Sequence, residues 1–332
     1  MVRVEREGIA MKKHCVLFLI AGLVFGAAVA EAQGRSGRIG MLGPPEEPRF
    51  SEVRDGLKQG LHDQGYAEPT MEILEARVTR GDREGGRAAV EDFLQRRVQV
   101  LVVIGSQLAR LARDVSAEVP IVYLTPGDPV RHGLATSLAH PGGNTTAMTF
   151  EYPELAGKRL QLLQEMLPQV RRVLILYDPR DGSPRRGAAA AREAAPQLAL
   201  TLVERETRSR DDITHGLEAL AEVDAFLVIP GGLPTGHYAE IIWAANAKRV
   251  PTMFHARTGS TIEALVSYGA SDVAIARQLA RHVAKILEGA KAGDLPVERP
   301  MRLELVINLT TAKHIGVTIP PEVLMQAHRV LR

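Results

Sequence analysis

The residues able to do chemistry in this chain gather where short apolar runs end. Leu101–Ile104 is followed by Gly105, Ser106 and Gln107 and then by a helix-length segment. A serine there can cap the helix, and its hydroxyl with the neighbouring amides can hold a carboxylate; a helix N-terminus facing a cleft commonly does both. Thr125 and Pro126 close another run, and Asp128 lies between Gly127 and Pro129. That aspartate either closes a turn or accepts a hydrogen bond from a ligand amine. Leu42 and Gly43 end the first run, Gly231 and Gly232 follow Ile229 and Pro230, and Phe254 ends a later one. Tyr177, Asp178 and Arg180 form a further cluster, with Tyr177 expected at the rim because turn residues follow it directly. Glu151 and Tyr152 come after the run Thr145–Phe150, where they face a cleft or cap an exposed helix, and Tyr268 precedes Gly269. Hydroxyls, amides, single charges and ring faces suit non-covalent capture of a small molecule.

Covalent and metal chemistry find little support. No Gly-x-Ser-x-Gly elbow, phosphate-cradling glycine loop or dinucleotide fingerprint follows a strand-like run, and the ten histidines lack metal-ligand spacing. The chain is therefore expected to be no enzyme and to hold no metal. The single cysteine, Cys15, precedes an apolar run, so a lipid-modified cysteine is not expected and the chain beyond that run has no thiol. A formal net charge of +2, with basic residues dispersed among few aromatics, does not indicate a nucleic-acid partner.

The elements that must position these residues follow one grammar. Basic residues from Met11 to His14 lead into an apolar run from Val16 to Ala30 that ends in small residues, the layout of an export signal, with Met11 expected as the true start. Residues 1–33 are thus assigned to the signal and what precedes it. From Arg38 onward, apolar runs alternate with amphipathic helix-length segments, as in parallel sheets covered by helices. The spacing predicts strands at Arg38–Leu42, Met71–Arg77, Val100–Ile104 and Ile121–Thr125. After Pro141–Asn144 the alternation begins again, with strands at Val173–Tyr177, Ala199–Glu206, Ala225–Ile229, Thr252–Phe254 and Ala264–Ser267. A long helix, Asp272–Glu288, and a strand, Leu303–Asn308, close the chain. The expected fold is α/β: two doubly wound parallel-sheet lobes joined by a three-segment hinge with crossings near 145–150, 267–271 and 295–305. The N-terminal lobe takes 34–147 plus 269–296 and the C-terminal lobe 148–268 plus 297–332.

Several blocks carry a resemblance: Asp128-Pro129-Val130 to Gly133-Leu134; Ser137-Leu138-Ala139 with Pro141-Gly142-Gly143-Asn144; Glu154-Leu155 with Gly157-Lys158-Arg159-Leu160; and Glu304 to Leu309 with Thr311-Ala312-Lys313 and Thr318 to Pro321. In this order they resemble the ABC-transporter substrate-binding family of tryptophan- and tyrosine-associated binding proteins. The resemblance implies a type I periplasmic-binding-protein fold without a cofactor and a ligand such as an amino acid or aromatic acid held between the lobes. It also implies a membrane permease as partner, a monomer, and a periplasmic location. Departures occur at Asp178–Gly182, at Gly231–Pro234 and at His255–Ile262, and Arg180 hints at a more acidic ligand. A periplasmic sensor that presents its ligand to a membrane receptor is the alternative function on the same fold.

Overall fold

The computed structural model describes residues 35–45, 49–79, 81–125, 127–150, 153–231, 233–255 and 263–332. The predicted export signal and the site candidates Pro126, Glu151, Tyr152 and Gly232 lie outside the described residues.

Five strands build the first sheet: β1 (Arg35–Gly43), β2 (Tyr66–Arg77), β3 (Val100–Ile104), β4 (Ile121–Thr125) and β5 (Thr145–Thr149). Their order is β2-β1-β3-β4-β5 and every pairing is parallel. A parallel sheet must be covered on both faces, and β3 shows why its residues suit that position. All five of its side chains are buried, Val100, Val102 and Ile104 entering one apolar layer and Leu101 and Val103 the other. Helices α1 (Arg49–Asp63), α2 (Arg83–Gln95) and α3 (Ser106–Val115) connect the strands.

The second sheet contains β6 (Arg172–Tyr177), β7 (Thr201–Glu206), β8 (Ala225–Val228), β9 (Thr252–Phe254), β10 (Val266–Gly269), β11 (Glu304–Asn308) and β12 (Arg329–Leu331). Its order is β12-β11-β10-β9-β8-β6-β7, so β7-β6-β8-β9-β10 repeats the arrangement of the first sheet with two strands added. Only β10 and β11 pair antiparallel. The helices of this half are α4 (Leu155–Met166), α5 (Gly182–Ala194), α6 (Arg210–Glu218), α7 (Tyr238–Ala247), α9 (Leu309–Ile315) and α10 (Pro321–Gln326). Two buried apolar layers again flank the sheet.

Helix α8 (Asp272–Leu287) follows β10 of the second sheet, yet its apolar face joins the core of the first. It lies tightly on α1, where Cβ atoms on Gly56 or Gly60 would overlap the backbone carbonyls of Val273 and Arg277. The chain therefore crosses from sheet to sheet after β5, again after β10, and a third time before β11. At the first and third crossings the two segments touch: the Thr149 amide donates to the Glu298 carbonyl at 2.9 Å, and Arg299 pairs with Glu154 at 3.0 Å. This is the α/β fold of two doubly wound lobes on a three-segment hinge that the alternation predicts. Strand β5 runs to Thr149, two residues past the boundary at 147, because its whole length pairs with β4. The terminal elements α9, α10 and β12 are additions to the predicted set.

Among the described residues no helix is long and apolar enough to cross a membrane, and no group of acidic, histidine or cysteine side chains is placed to hold a metal ion.

Candidate functional site

In a doubly wound sheet the strand order reverses between the first strand and its second neighbour, which leaves a crevice at the carboxyl ends. Here the crevices open between β1 and β3 in one lobe and between β6 and β8 in the other. The loops after these strands, and after β4, β9 and β10, are the parts that can meet a ligand.

A buried charged cluster lies beside the hinge. Arg159 sits on the inward face of α4 beside Ala156, Leu160 and Leu163, and only 3% of it is exposed. Its Nε donates to the Tyr268 carbonyl at 2.9 Å and an Nη to the His255 carbonyl at 3.5 Å, so one guanidinium pins the ends of β9 and β10. No carboxylate among the described residues lies within ion-pair distance of it. Burial lowers its pKa to about 10, while Tyr238, Tyr268 and Glu154 act in the opposite sense. It remains a cation at neutral pH.

His255, just after β9, packs against Tyr238 and Phe254 with ring centroids 5.3 and 4.5 Å away. Its Nδ1 is buried with no hydrogen-bond partner among the described residues. Burial holds the imidazole neutral, well below its usual range, and the charges of Arg159 and Arg49 push the same way. Arg49 comes from the other lobe, at the start of α1. Its guanidinium stacks over the Phe150 ring at 5.3 Å, and its Nε is 3.5 Å from Asp272 at the start of α8. Two arginines from opposite lobes, a neutral imidazole and several rings thus surround the hinge end of the cleft. Such a set can hold a carboxylate and stack on an aromatic or apolar body.

The sequence-predicted residues fall into groups. Gly43 and Thr125 end neighbouring strands of the first sheet, and Ser106 follows the end of β3 by two residues. Leu42 is fully buried in the core behind them and cannot line a cleft, because its side chain points into the layer with Leu101 and Val103. Ser106 is not the cap of α3: Gly105 takes that position at φ 104°, a conformation open to glycine, and Ser106 becomes the first helical residue. Gln107 is exposed one residue further on. Thr125 is buried, its hydroxyl accepting from the Gly127 amide at 3.0 Å.

Asp128 closes a turn, its Oδ1 accepting from the Val130 amide at 2.9 Å and its Oδ2 lying 3.4 Å from Arg131 Nε. Tyr177 is a core residue, 9% exposed, with its hydroxyl 3.4 Å from Glu206; the expectation of a rim position fails because the next strand and its helix cover the ring. Asp178 and Arg180 bind each other bidentately at 2.7 and 2.9 Å, and Asp178 also accepts from the Leu233 amide. That pairing lowers the Asp178 pKa and engages the guanidinium expected to meet an acidic ligand. Gly231 packs on Pro184. Phe254 is buried, edge-on to Tyr238 at 4.7 Å, and so backs His255 from within the core. Tyr268 contributes its carbonyl to Arg159.

Arg49, Phe150 and Arg159 were not singled out from sequence as site residues, and His255 was noted only as the start of a stretch departing from the family pattern. One signal was available for Arg159: a charged residue at a core-facing position of an amphipathic helix requires a polar partner.

The sequence matches the profile of the family described as ABC transporter substrate binding protein over residues 38–331. A tyrosine-binding protein of Clostridioides difficile (strain R20291) is 21% identical over 276 residues, which span 83% of this chain and 79% of that protein. Among solved structures, an ABC domain from Streptococcus pneumonia in complex with L-Trp superposes with a TM-score of 0.75 at 21% identity, covering 89% of this chain and all of that one. A conserved domain protein from Vibrio cholerae gives a TM-score of 0.74 at 26% identity over 89% and 99% of the two chains. Repressors of the LacI type share the two-lobed fold more distantly, as in a protein from Corynebacterium glutamicum at a TM-score of 0.55 and 12% identity over 82% and 98%. The profile match spans both lobes and all three crossings: the chain belongs to the ABC transporter substrate binding protein family.

Proposed function

We propose that this protein captures a small carboxylate-bearing solute, an amino acid or an aromatic acid, between its two lobes and delivers it to an ABC permease in the membrane. The observation that carries this reading is the meeting of Arg49 with Arg159 and His255 at the hinge end of the cleft, beside the rings of Phe150, Tyr238 and Phe254. A carboxylate there gains charge-assisted hydrogen bonds from both lobes. A ligand that touches both lobes favours the closed form by its differential affinity, and closure is what a permease can read. The lobes 34–147 with 269–296 and 148–268 with 297–332 act as the two bodies. Export through the N-terminal signal, a periplasmic location and a monomeric state complete the proposal. The ligands named for the tyrosine-binding relative and the tryptophan-bound structure support an amino acid.

The test is a thermal-shift and calorimetric screen of the purified protein against amino acids and aromatic acids. A binder should raise the melting temperature, because it binds only the folded state. Arg49→Ala should weaken that binder at least tenfold and Ser106→Ala more modestly. Stimulation of a reconstituted permease's ATPase by the liganded protein assigns transport; ligand-dependent activation of a membrane receptor instead assigns sensing. A protein stabilised by no acid in the screen refutes the capture reading.

A further inference from the structure

A pocket of about 450 Å³ lies in the first lobe, at the end opposite the cleft. The cleft loops follow the carboxyl ends of the strands, whereas this pocket surrounds the start of the edge strand β2. The strand register explains its outer wall. Arg35 pairs with Tyr66 and Gly37 with Met71, so β2 advances five residues while β1 advances two. Ala67 to Thr70 therefore bulge from the sheet, and the Thr70 hydroxyl ties them down by donating to the carbonyls of Arg35 and Ala67 at 2.9 Å. Bulges at sheet edges commonly shape sites in this way. Helix α1 forms the inner wall, and α8 adds Arg277.

The floor is apolar and fixed. Leu61, Tyr66 and Met71 are buried, with Ile73 beside them. Arg35 lies over the Tyr66 ring, 5.6 Å from its centroid, and is itself held by the Gln64 carbonyl and by Glu288. The rim is charged but balanced. Lys58 on α1 pairs with Glu68 on the bulge at 2.9 Å, and Arg277 on α8 pairs with Asp63 on α1 at 2.6 Å. A charged head would break one of these pairs or leave its own charge unmatched, whereas a hydroxyl, amide or ring N–H can hydrogen-bond at the rim and disturb neither. Gln59 and His62 on the α1 wall offer such partners. Small-molecule sites have this character, roughly 300–1,000 Å³ of mostly apolar lining with a few polar groups.

We infer that this pocket is a second ligand site, and that it takes a small neutral molecule with a ring-sized apolar body and one hydrogen-bonding group. It differs in chemistry from the cleft, whose arginines suit an acid, and it does not depend on the cleft capturing one.

Methyl NMR on the full protein labelled at methionine tests it, because Met71 is part of the floor and a Met71→Leu variant identifies its signal. Indole is the neutral probe and indole-3-acetate its charged counterpart. Indole should move the Met71 signal saturably, with a Kd of about 1 mM or tighter, and leave that of Met253 in the second lobe in place. Indole-3-acetate should need at least about ten times the concentration for the same movement. Ala67→Trp fills the pocket from an exposed position and should abolish the response; Gln59→Trp does so from α1 if that variant does not fold. Arg49→Ala should leave the response unchanged. The inference is overturned by a Met71 signal that ignores indole, by a response that survives the filled pocket or is lost with Arg49, and by an equal response to indole-3-acetate. A Met71 signal that moves on dilution of the protein alone assigns the pocket to contact between copies and overturns it too. None of these outcomes bears on the capture reading, which the acid screen decides.

Discussion

Arg159 on α4 and Arg131 on the loop after β4 are held in opposite ways. Arg159 is enclosed, and backbone carbonyls of two strand ends take its hydrogen bonds. Arg131 stands on a loop with 59% of its side chain exposed and one loose contact to Asp128 at 3.4 Å. A charge in a dry interior is fixed in place and costly to disturb, whereas one in water can reorient at little cost and is screened by salt. The hinge end is therefore the rigid part of the face between the lobes, and the loop after β4 the adaptable one. Stability should divide along that contrast.

The largest break in the comparison should come from the aromatic backing of the hinge. Phe254→Ala is expected to lose about 3–5 kcal/mol in urea unfolding, since it empties a fully buried site against Tyr238. Next, Arg159→Met should cost about 2–3 kcal/mol, because the carbonyls of Tyr268 and His255 lose their donor while an apolar side chain recovers part of the loss. A change under about 0.5 kcal/mol would mean that water reaches those carbonyls and the hinge end is not dry.

A smaller effect follows from protonation. His255 is held neutral in the fold, with its pKa well below the ordinary 6.5 of the unfolded chain. Below about pH 6.5 the unfolded state binds a proton that the native state refuses, so stability is complete above that pH and is lost as the pH falls. The slope from one such group is at most about 1.4 kcal/mol per pH unit. His132 and His282 are lowered in the same direction, again chiefly by burial. His255→Gln should flatten the decline between pH 6.5 and 5; a slope identical to that of the parent protein would place the linkage on the other two histidines. The smallest effect should be that of Arg131→Ala on the unliganded protein, within about 0.5 kcal/mol by the same unfolding measurement. A larger loss would show that the loop after β4 is part of the folded framework and would erase the contrast between the two arginines.

Much of the architecture was legible in the chain. Val100–Ile104, Ile121–Thr125 and Thr252–Phe254 are strands at the predicted bounds, because continuous β-branched and apolar runs between turn residues have no other well-buried arrangement in a sheet covered on both faces. Helix α8 follows from the regular spacing of Ile275, Leu279, Val283 and Ile286. The short terminal helices were not legible, since α9 and α10 span only seven and six residues, too little for periodicity to register. The candidate site was legible only as a set of strand ends. Tyr177 and Phe254 were read as possible walls, but the side of a strand from which a ring projects depends on what the neighbouring elements cover. Arg49 is near neither Arg159 nor His255 in sequence and meets them only because the two lobes face each other.

By itself the sequence determined the alternation of strand and helix, the repetition of that pattern in two lobes and the places where the chain could cross between them. Those properties depend on periodicity and turn chemistry, which act over a few residues at a time. Tertiary structure decided which charges share a space: that Arg180 pairs with Asp178, that Arg159 is sealed beneath the ends of β9 and β10, and that Arg131 and Arg186 meet beside Gly182. Electrostatic interactions depend on distance and on the exclusion of water, and both are set only once the sheets have packed and the hinge has brought the lobes together.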